Sequence, residues 1–128
     1  MKEAATSSHI RRESPYHDCE LWRNNVGVAE DMRGVPVRYG LANESKQQNQ
    51  QIKSSDYIGI TTIVITPDMV GQKIGVFTAV ETKKSNWKFL QSCKRSLAQK
   101  TFHDIVKNAG GFAGFATSVE DFKRIIKK

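Results

Sequence analysis

Cysteine is nearly absent from this 128-residue chain: Cys19 and Cys93 are the only two, and they stand far apart. Two thiols at that spacing indicate neither a disulfide framework nor a zinc site, so reduced thiols are expected. Histidine is sparse as well. His9, His17 and His103 are scattered, none adjoins a plausible nucleophile, and no Ser–His–Asp or Cys–His arrangement is available. His103 falls inside a helical pattern, where a solvent-facing or packing role is expected. Long apolar runs are also missing. The longest, "YIGITTIVI", is far below the roughly 18 residues that span a bilayer, so no membrane segment and no secretory leader are expected. Acidic residues are the minority charge: thirteen Asp and Glu face twenty Lys and Arg, leaving a net +7. A positive field of that size favours polyanions over neutral small molecules and makes nucleic acid the first partner to consider.

What is present is the make-up of a folded protein. With 38% hydrophobic and 26% charged residues, the chain is not a disordered tail, and its length suits one domain spanning residues 1–128. "MKEAATSSHIRRESP" predicts a short helix ended by Pro15, with a thin apolar face of Ala4, Ala5 and Ile10. "CELWRNN" alternates with period two and predicts a half-buried strand; "NNVGV" supplies its exit and "VPVRYG" a second strand, the pair resembling a loose hairpin. Arg23, Asn24 and Asn25 then read either as a polar strand end and turn or as nucleic-acid contacts, with Arg23 and Asn25 the candidates. Residues 42–55, "ANESKQQNQQIKSS", carry almost nothing apolar and predict a mobile surface loop or flap.

The second half is richer in apolar residues. Tyr57 to Ile65 predict a strand stopped by Pro67, "TPDMVGQKIG" a hairpin-type connection, and "IGVFTAVE" the next strand, apolar on both faces and therefore covered by helices. "SLAQKTFHDIVKNAGG" predicts a helix stopped at Gly110, "GFAGFA" a last strand, and "SVEDFKRIIKK" a closing helix capped by Ser118, with Phe122, Ile125 and Ile126 as its buried stripe. About four strands and two or three helices are expected.

The chemistry-bearing pattern is "FTAVETKKSN" at residues 77–86. Strand side chains alternate, so Glu81 and Lys83 leave the strand on one face. If residues 57–65 and 74–81 pair antiparallel, Asp56 comes to lie near Glu81. Such a carboxylate pair is unfavourable without a hard divalent cation, Mg²⁺ above all, and an ammonium beside it suits charge stabilisation on a phosphoryl group.

Taken with their surroundings, these residues resemble the VRR-NUC family of the PD-(D/E)xK nuclease superfamily, in its small stand-alone phage and bacterial form. The matching pieces are "WRNNVG", "VRYGL", "SSDYIGI", "FTAVETKK", a glutamine in the following helix, and "VKNAGGFAGFATSVED", in the family's order from Trp22 to Asp121. The family's Gly-rich lead-in to the aspartate is replaced here by "KSSD". The resemblance implies a restriction-endonuclease-like α/β core, a mixed central β-sheet flanked by α-helices. It implies Mg²⁺ or Mn²⁺ held by Asp56, Glu81 and the Thr82 backbone carbonyl, with Glu3 matching a further acid of the first helix. It places Lys83 as the active-site lysine and Gln99 or Gln91 as the helix-borne glutamine, Gln99 being preferred because it precedes the Phe-Ile-Val stripe. Lys84, Lys88, Lys94, Arg95 and Lys100 would supply phosphate contacts. Trp87 and Phe89 are expected to pack on the fold. The implied activity is hydrolysis of DNA phosphodiesters by a homodimer selective for branched DNA such as four-way junctions, in the bacterial cytosol or, for a phage protein, the host cytoplasm. Two rivals remain: a basic nucleic-acid-binding module without catalysis, and a structural or regulatory phage protein without nucleic-acid affinity.

Overall fold

The computed structural model describes residues 2–126. Met1, at the head of the first predicted helix, and Lys127 and Lys128, at the end of the last, lie outside the described residues. The architecture is mixed α/β, with six strands in three two-stranded sheets and four helices among the described residues. They divide into two compact units, one running to Gly59 and the other beginning at Ile60.

In the first unit, helix α1 (Glu3–Glu13) gives way at Pro15 to a 3-10 turn, Ser14–His17, as the proline predicts. Asp18, at φ 55°, turns the chain into strand β1 (Cys19–Arg23). The expected hairpin partner is corrected: β1 pairs with β4 (Tyr57–Thr61), while the hairpin joins β2 (Gly27–Glu30) to β3 (Pro36–Tyr39). That hairpin is antiparallel, with Gly27 opposite Tyr39 and Glu30 opposite Pro36. Its turn is folded by Asp31, whose carboxylate accepts from the amides of Arg33 and Val35 at 2.8 and 2.9 Å, with Gly34 at φ 77° completing the reversal. The Val35 amide foremost holds the Asp31 carboxyl below its usual range. A local turn of this kind outcompetes pairing over a longer loop.

The polar stretch 42–55 is corrected too, because it contains helix α2 (Lys46–Gln51). Ser45 caps it by accepting from the Gln48 amide at 3.0 Å, and the Gln48 side chain reaches back to the Glu44 amide at 2.7 Å. This is a reciprocal cap of the S-x-x-Q kind. Strand β4 comes so close to β1 that a Cβ on Gly59 would sit 1.8 Å from the Glu20 carbonyl oxygen, which leaves glycine as the residue that fits.

The second unit is a strand–helix–strand crossover closed by a further helix. Strand β5 (Thr78–Thr82) and strand β6 (Phe112–Ala116) run parallel, with Glu81 opposite Phe115 and Thr82 opposite Ala116. Helix α3 (Lys94–Asn108) connects them and packs on both, while α4 (Val119–Ile125) packs on β6. The antiparallel pairing expected for residues 57–65 and 74–81 is thereby corrected: β4 takes β1 as its partner and β5 takes β6. The apolar run also stops early. Ile63, Val64 and Ile65 are 54–83% exposed and outside any strand, since β-branched residues favour a pleated surface without supplying a partner for it.

Val106 is fully buried, with Ile60, Ala113 and Ala116 close behind. Gly110, at φ 97°, ends α3. At Gly111 a Cβ would meet the Phe77 carbonyl oxygen and Val106 Cγ1, both at 2.7 Å. The predicted cap of α4 is present: Ser118 Oγ accepts from the Asp121 amide at 3.1 Å, and the Asp121 carboxylate accepts from the Thr117 amide and hydroxyl at 2.9 and 2.7 Å. Phe122 departs from the buried stripe expected of it and is 40% exposed. No helix among the described residues is long and apolar enough to cross a membrane.

Candidate functional site

Past the end of β5 the Lys83 amide donates to the Ala116 carbonyl at 2.9 Å, so the strand's alternation carries on and Lys83 emerges on the face of Glu81. Its ammonium donates to Gln99 Oε1 at 2.9 Å and stands 3.9 Å from Glu81 Oε1. The lysine side chain is only 16% exposed, against 37% for Glu81. It lies over two rings, with Nζ 5.5 Å from the Trp87 centroid and 5.8 Å from that of Phe115, a cation–π seat for the ammonium.

The rings are themselves fixed. Trp87 and Phe89 pack against Phe115 at 4.7 and 5.9 Å between centroids, as their expected packing role requires. His103 meets Phe115 edge-on at 4.7 Å and is buried. Burial pushes the His103 pKa down, against the smaller opposing attraction of Glu81. Of the two candidate glutamines, Gln99 on α3 reaches Lys83, whereas Gln91 lies exposed in the turn before the helix. A cavity of about 410 Å³ opens beside this group, lined by Glu81, Gln99, His103, Arg95, Ala98 and Phe102.

Asp56, Glu3, Arg23 and Asn25 belong to the first unit, and Glu81, Lys83 and Gln99 to the second. Asp56 and Glu3 line one cleft of about 510 Å³, together with Arg11, Arg23 and Tyr57. Asp56 is set in place by a residue that the site prediction passed over. The Asn24 side chain donates to Ser54 Oγ and to the Ser55 carbonyl, both at 2.8 Å, and accepts from the Leu41 amide, while its backbone amide donates to the Asp56 carbonyl at 2.8 Å. The run "RNN" signals a turn, but nothing in it reveals partners 17 to 32 residues away. Asn25 is exposed at the strand end, and Arg23 Nη2 reaches the Tyr57 hydroxyl at 3.4 Å.

Among the proposed phosphate contacts, Lys84, Lys88, Lys94 and Arg95 are exposed. Lys100 is engaged by Asp104 one turn along α3 at 2.9 Å, and this bond foremost holds the Asp104 carboxyl below its usual range. For a divalent cation, Glu81 and the Thr82 carbonyl offer hard oxygen donors, and Lys83 engages one carboxylate oxygen of Glu81 at 3.9 Å. Mg²⁺ commonly takes one or two carboxylates and completes its shell with water and substrate phosphate, so this donor set fits it. Among the described residues no three His, Cys, Asp or Glu side chains gather into a group able to hold a metal. No family model, no curated protein and no solved structure matches the chain.

Proposed function

We propose that the chain is a Mg²⁺- or Mn²⁺-dependent endonuclease hydrolysing DNA phosphodiesters, of the VRR-NUC kind within the PD-(D/E)xK superfamily and its restriction-endonuclease-like fold. The supporting observation is the held lysine: Lys83, 2.9 Å from Gln99 and 3.9 Å from Glu81, over the rings of Trp87 and Phe115. A solvated ion pair at a strand end contributes about 1 kcal/mol or less and keeps its lysine mobile. Here the ammonium is withdrawn from water and fixed from several directions, the condition under which a positive charge stabilises a transition state without reorganising.

In the proposed reaction a water attacks phosphorus, the bond to the leaving oxygen breaks, and that oxygen departs with a proton. Lys83 orients the water or stabilises the negative charge growing on a non-bridging oxygen. Gln99 is a positioning residue that holds the ammonium in line. Glu81 and the Thr82 carbonyl would hold the metal in the second unit, and the resemblance implies a ligand role for Asp56 and, as a further acid, Glu3 in the first unit. The metal, when bound, supplies Lewis acidity at the phosphoryl oxygen and acidifies a bound water. A small enzyme cutting duplex or branched DNA gains surface and a second site as a two-fold homodimer, and four-way junctions are the proposed substrate.

The net charge of +7 also suits the rival reading, a basic module that binds nucleic acid without cutting it. Incubation with supercoiled plasmid and with a synthetic four-way junction, in Mg²⁺, in Mn²⁺ and in chelator, separates the two. Cleavage that needs the metal and is lost in Glu81→Gln and Lys83→Ala supports the enzyme. Binding without cleavage in either metal supports the module. Cleavage that persists in chelator contradicts the metal mechanism.

A further inference from the structure

The cleft of the first unit contains a charge arrangement that the hydrolytic residues do not explain. Arg11 projects from α1 and Arg23 from the end of β1, and their guanidinium carbons lie 5.3 and 5.6 Å from the centre of one ring, that of Tyr57. Two like charges converging on one ring repel each other. Neither guanidinium makes a salt bridge among the described residues, although Glu3 and Asp56 line the same cleft. Among the described residues the Arg23 fork has only the Tyr57 hydroxyl, at 3.4 Å, as a hydrogen-bond partner. Ser7 and Ser8 add two hydroxyl donors to the wall. Planar forks with open donors, held over an aromatic face, match the oxygens of a phosphate group.

We infer that Arg11 and Arg23, set by Tyr57, form a phosphate-binding clamp that takes one backbone phosphate of a nucleic acid. The clamp needs no metal and no cleavage, so it stands or falls apart from the nuclease reading. Its position beside Asp56 makes it a device for fixing the strand at that carboxylate. Tyr57 keeps the two forks in place before the phosphate arrives, which lowers the entropy lost on binding.

The test is binding of a four-way junction in chelator across a salt series, with the parent chain, Arg11→Ala, Arg23→Ala, the double variant, and Arg11→Lys. A Lys107→Ala/Lys123→Ala double variant removes the same formal charge from the second unit. Circular dichroism establishes that each variant is folded. The clamp predicts that the slope of log affinity against log salt becomes shallower by about one in the double variant, because the two arginines serve a single phosphate. It also predicts that the two single losses in affinity fail to add, because both act on one phosphate. Arg11→Lys keeps the slope while losing affinity, since the charge stays and the fork goes. Inorganic phosphate at constant ionic strength, acting as a free competitor, should displace the junction from the parent more readily than from the double variant. An unchanged slope in the double variant, a loss no larger than in the Lys107/Lys123 control, or equal displacement by phosphate from both proteins would overturn the clamp.

Discussion

In the first unit the most deeply buried side chain is an amide; in the second it is a valine. Asn43, 2% exposed, donates to the Gly27 and Tyr39 carbonyls at 2.8 Å and accepts from Arg38 at 2.7 Å, tying off the base of the β2–β3 hairpin. Asn24, Ser45, Gln48 and Asp31 make further polar ties in this unit, and helix α1 buries no residue at all. The second unit has Val106 at 0% exposure, with Ala113 and Ala116 also buried, and Trp87, Phe89 and His103 gathered around Phe115. One half is held by directional polar tethers and the other by an apolar core. The contrast bears on the proposed function: the lysine given the chemistry is mounted on the packed half, and the cleft lined by Arg11 and Arg23 is built on the tethered half.

Substitutions that break each kind of support have different expected sizes. The largest effect is predicted for Gly59→Ala, because its Cβ would meet the Glu20 carbonyl at 1.8 Å and backbone cannot yield as a side chain does. About 3 kcal/mol is expected, the upper part of the overpacking range, with loss of the β1–β4 pairing visible by amide exchange. Val106→Ala leaves a cavity under α3 and is predicted to cost about 2 kcal/mol in denaturant titration, with the loss reported by Trp87 fluorescence. Asn43→Ala strands two carbonyls and the Arg38 Nη2 donor, for about 2 kcal/mol, and should lower amide protection in β2 and β3 while leaving β5 and β6 as they were. Loss of protection throughout both units in either variant would erase the distinction between them.

A smaller effect separates the units by pH. Burial holds the His103 pKa below the ordinary 6.5. Between those two values the unfolded chain binds a proton that the folded chain refuses, so stability falls as pH drops from 6.5 through the folded pKa. The first unit's shifted group is Asp31, and its contribution is kept until pH falls below 3.8. Lowering the pH from 7 to 5.5 should therefore weaken amide protection in α3 and β6 first, and His103→Gln should flatten that response. The Asp121 cap adds its own loss only below 3.8.

Much of the second unit was legible in the sequence. Apolar spacing located α3, Gly110 its end, "GFAGFA" the last strand, and Ser118 the cap of α4, because each of these signals is local. Partnership was not legible. Period-two alternation marks a strand without naming its neighbour: sequence order suggests β1 with β3 and β4 with β5, whereas the folded chain pairs β1 with β4 and β5 with β6. The cap of α2 was present in "SKQQ" and was hidden by the absence of apolar periodicity around it. Within the site, the alternation of Glu81 and Lys83 could be read directly, and so could the preference for Gln99. The aromatic seat and the Asn24 tether depend on contacts far apart in sequence, which no spacing rule predicts.

The central claim is that the held ammonium of Lys83 does chemistry, and single-turnover cleavage of a four-way junction in Mg²⁺, measured beside junction affinity in chelator, tests it most directly. For Lys83→Ala the account predicts a rate lower by about 100-fold or more with affinity close to the parent's, the pattern of an interaction made in the transition state. Gln99→Ala should lower kcat less and leave KM unchanged. A parent chain that binds the junction and never cuts it, or a Lys83→Ala chain that cuts at the parent's rate, would contradict the account.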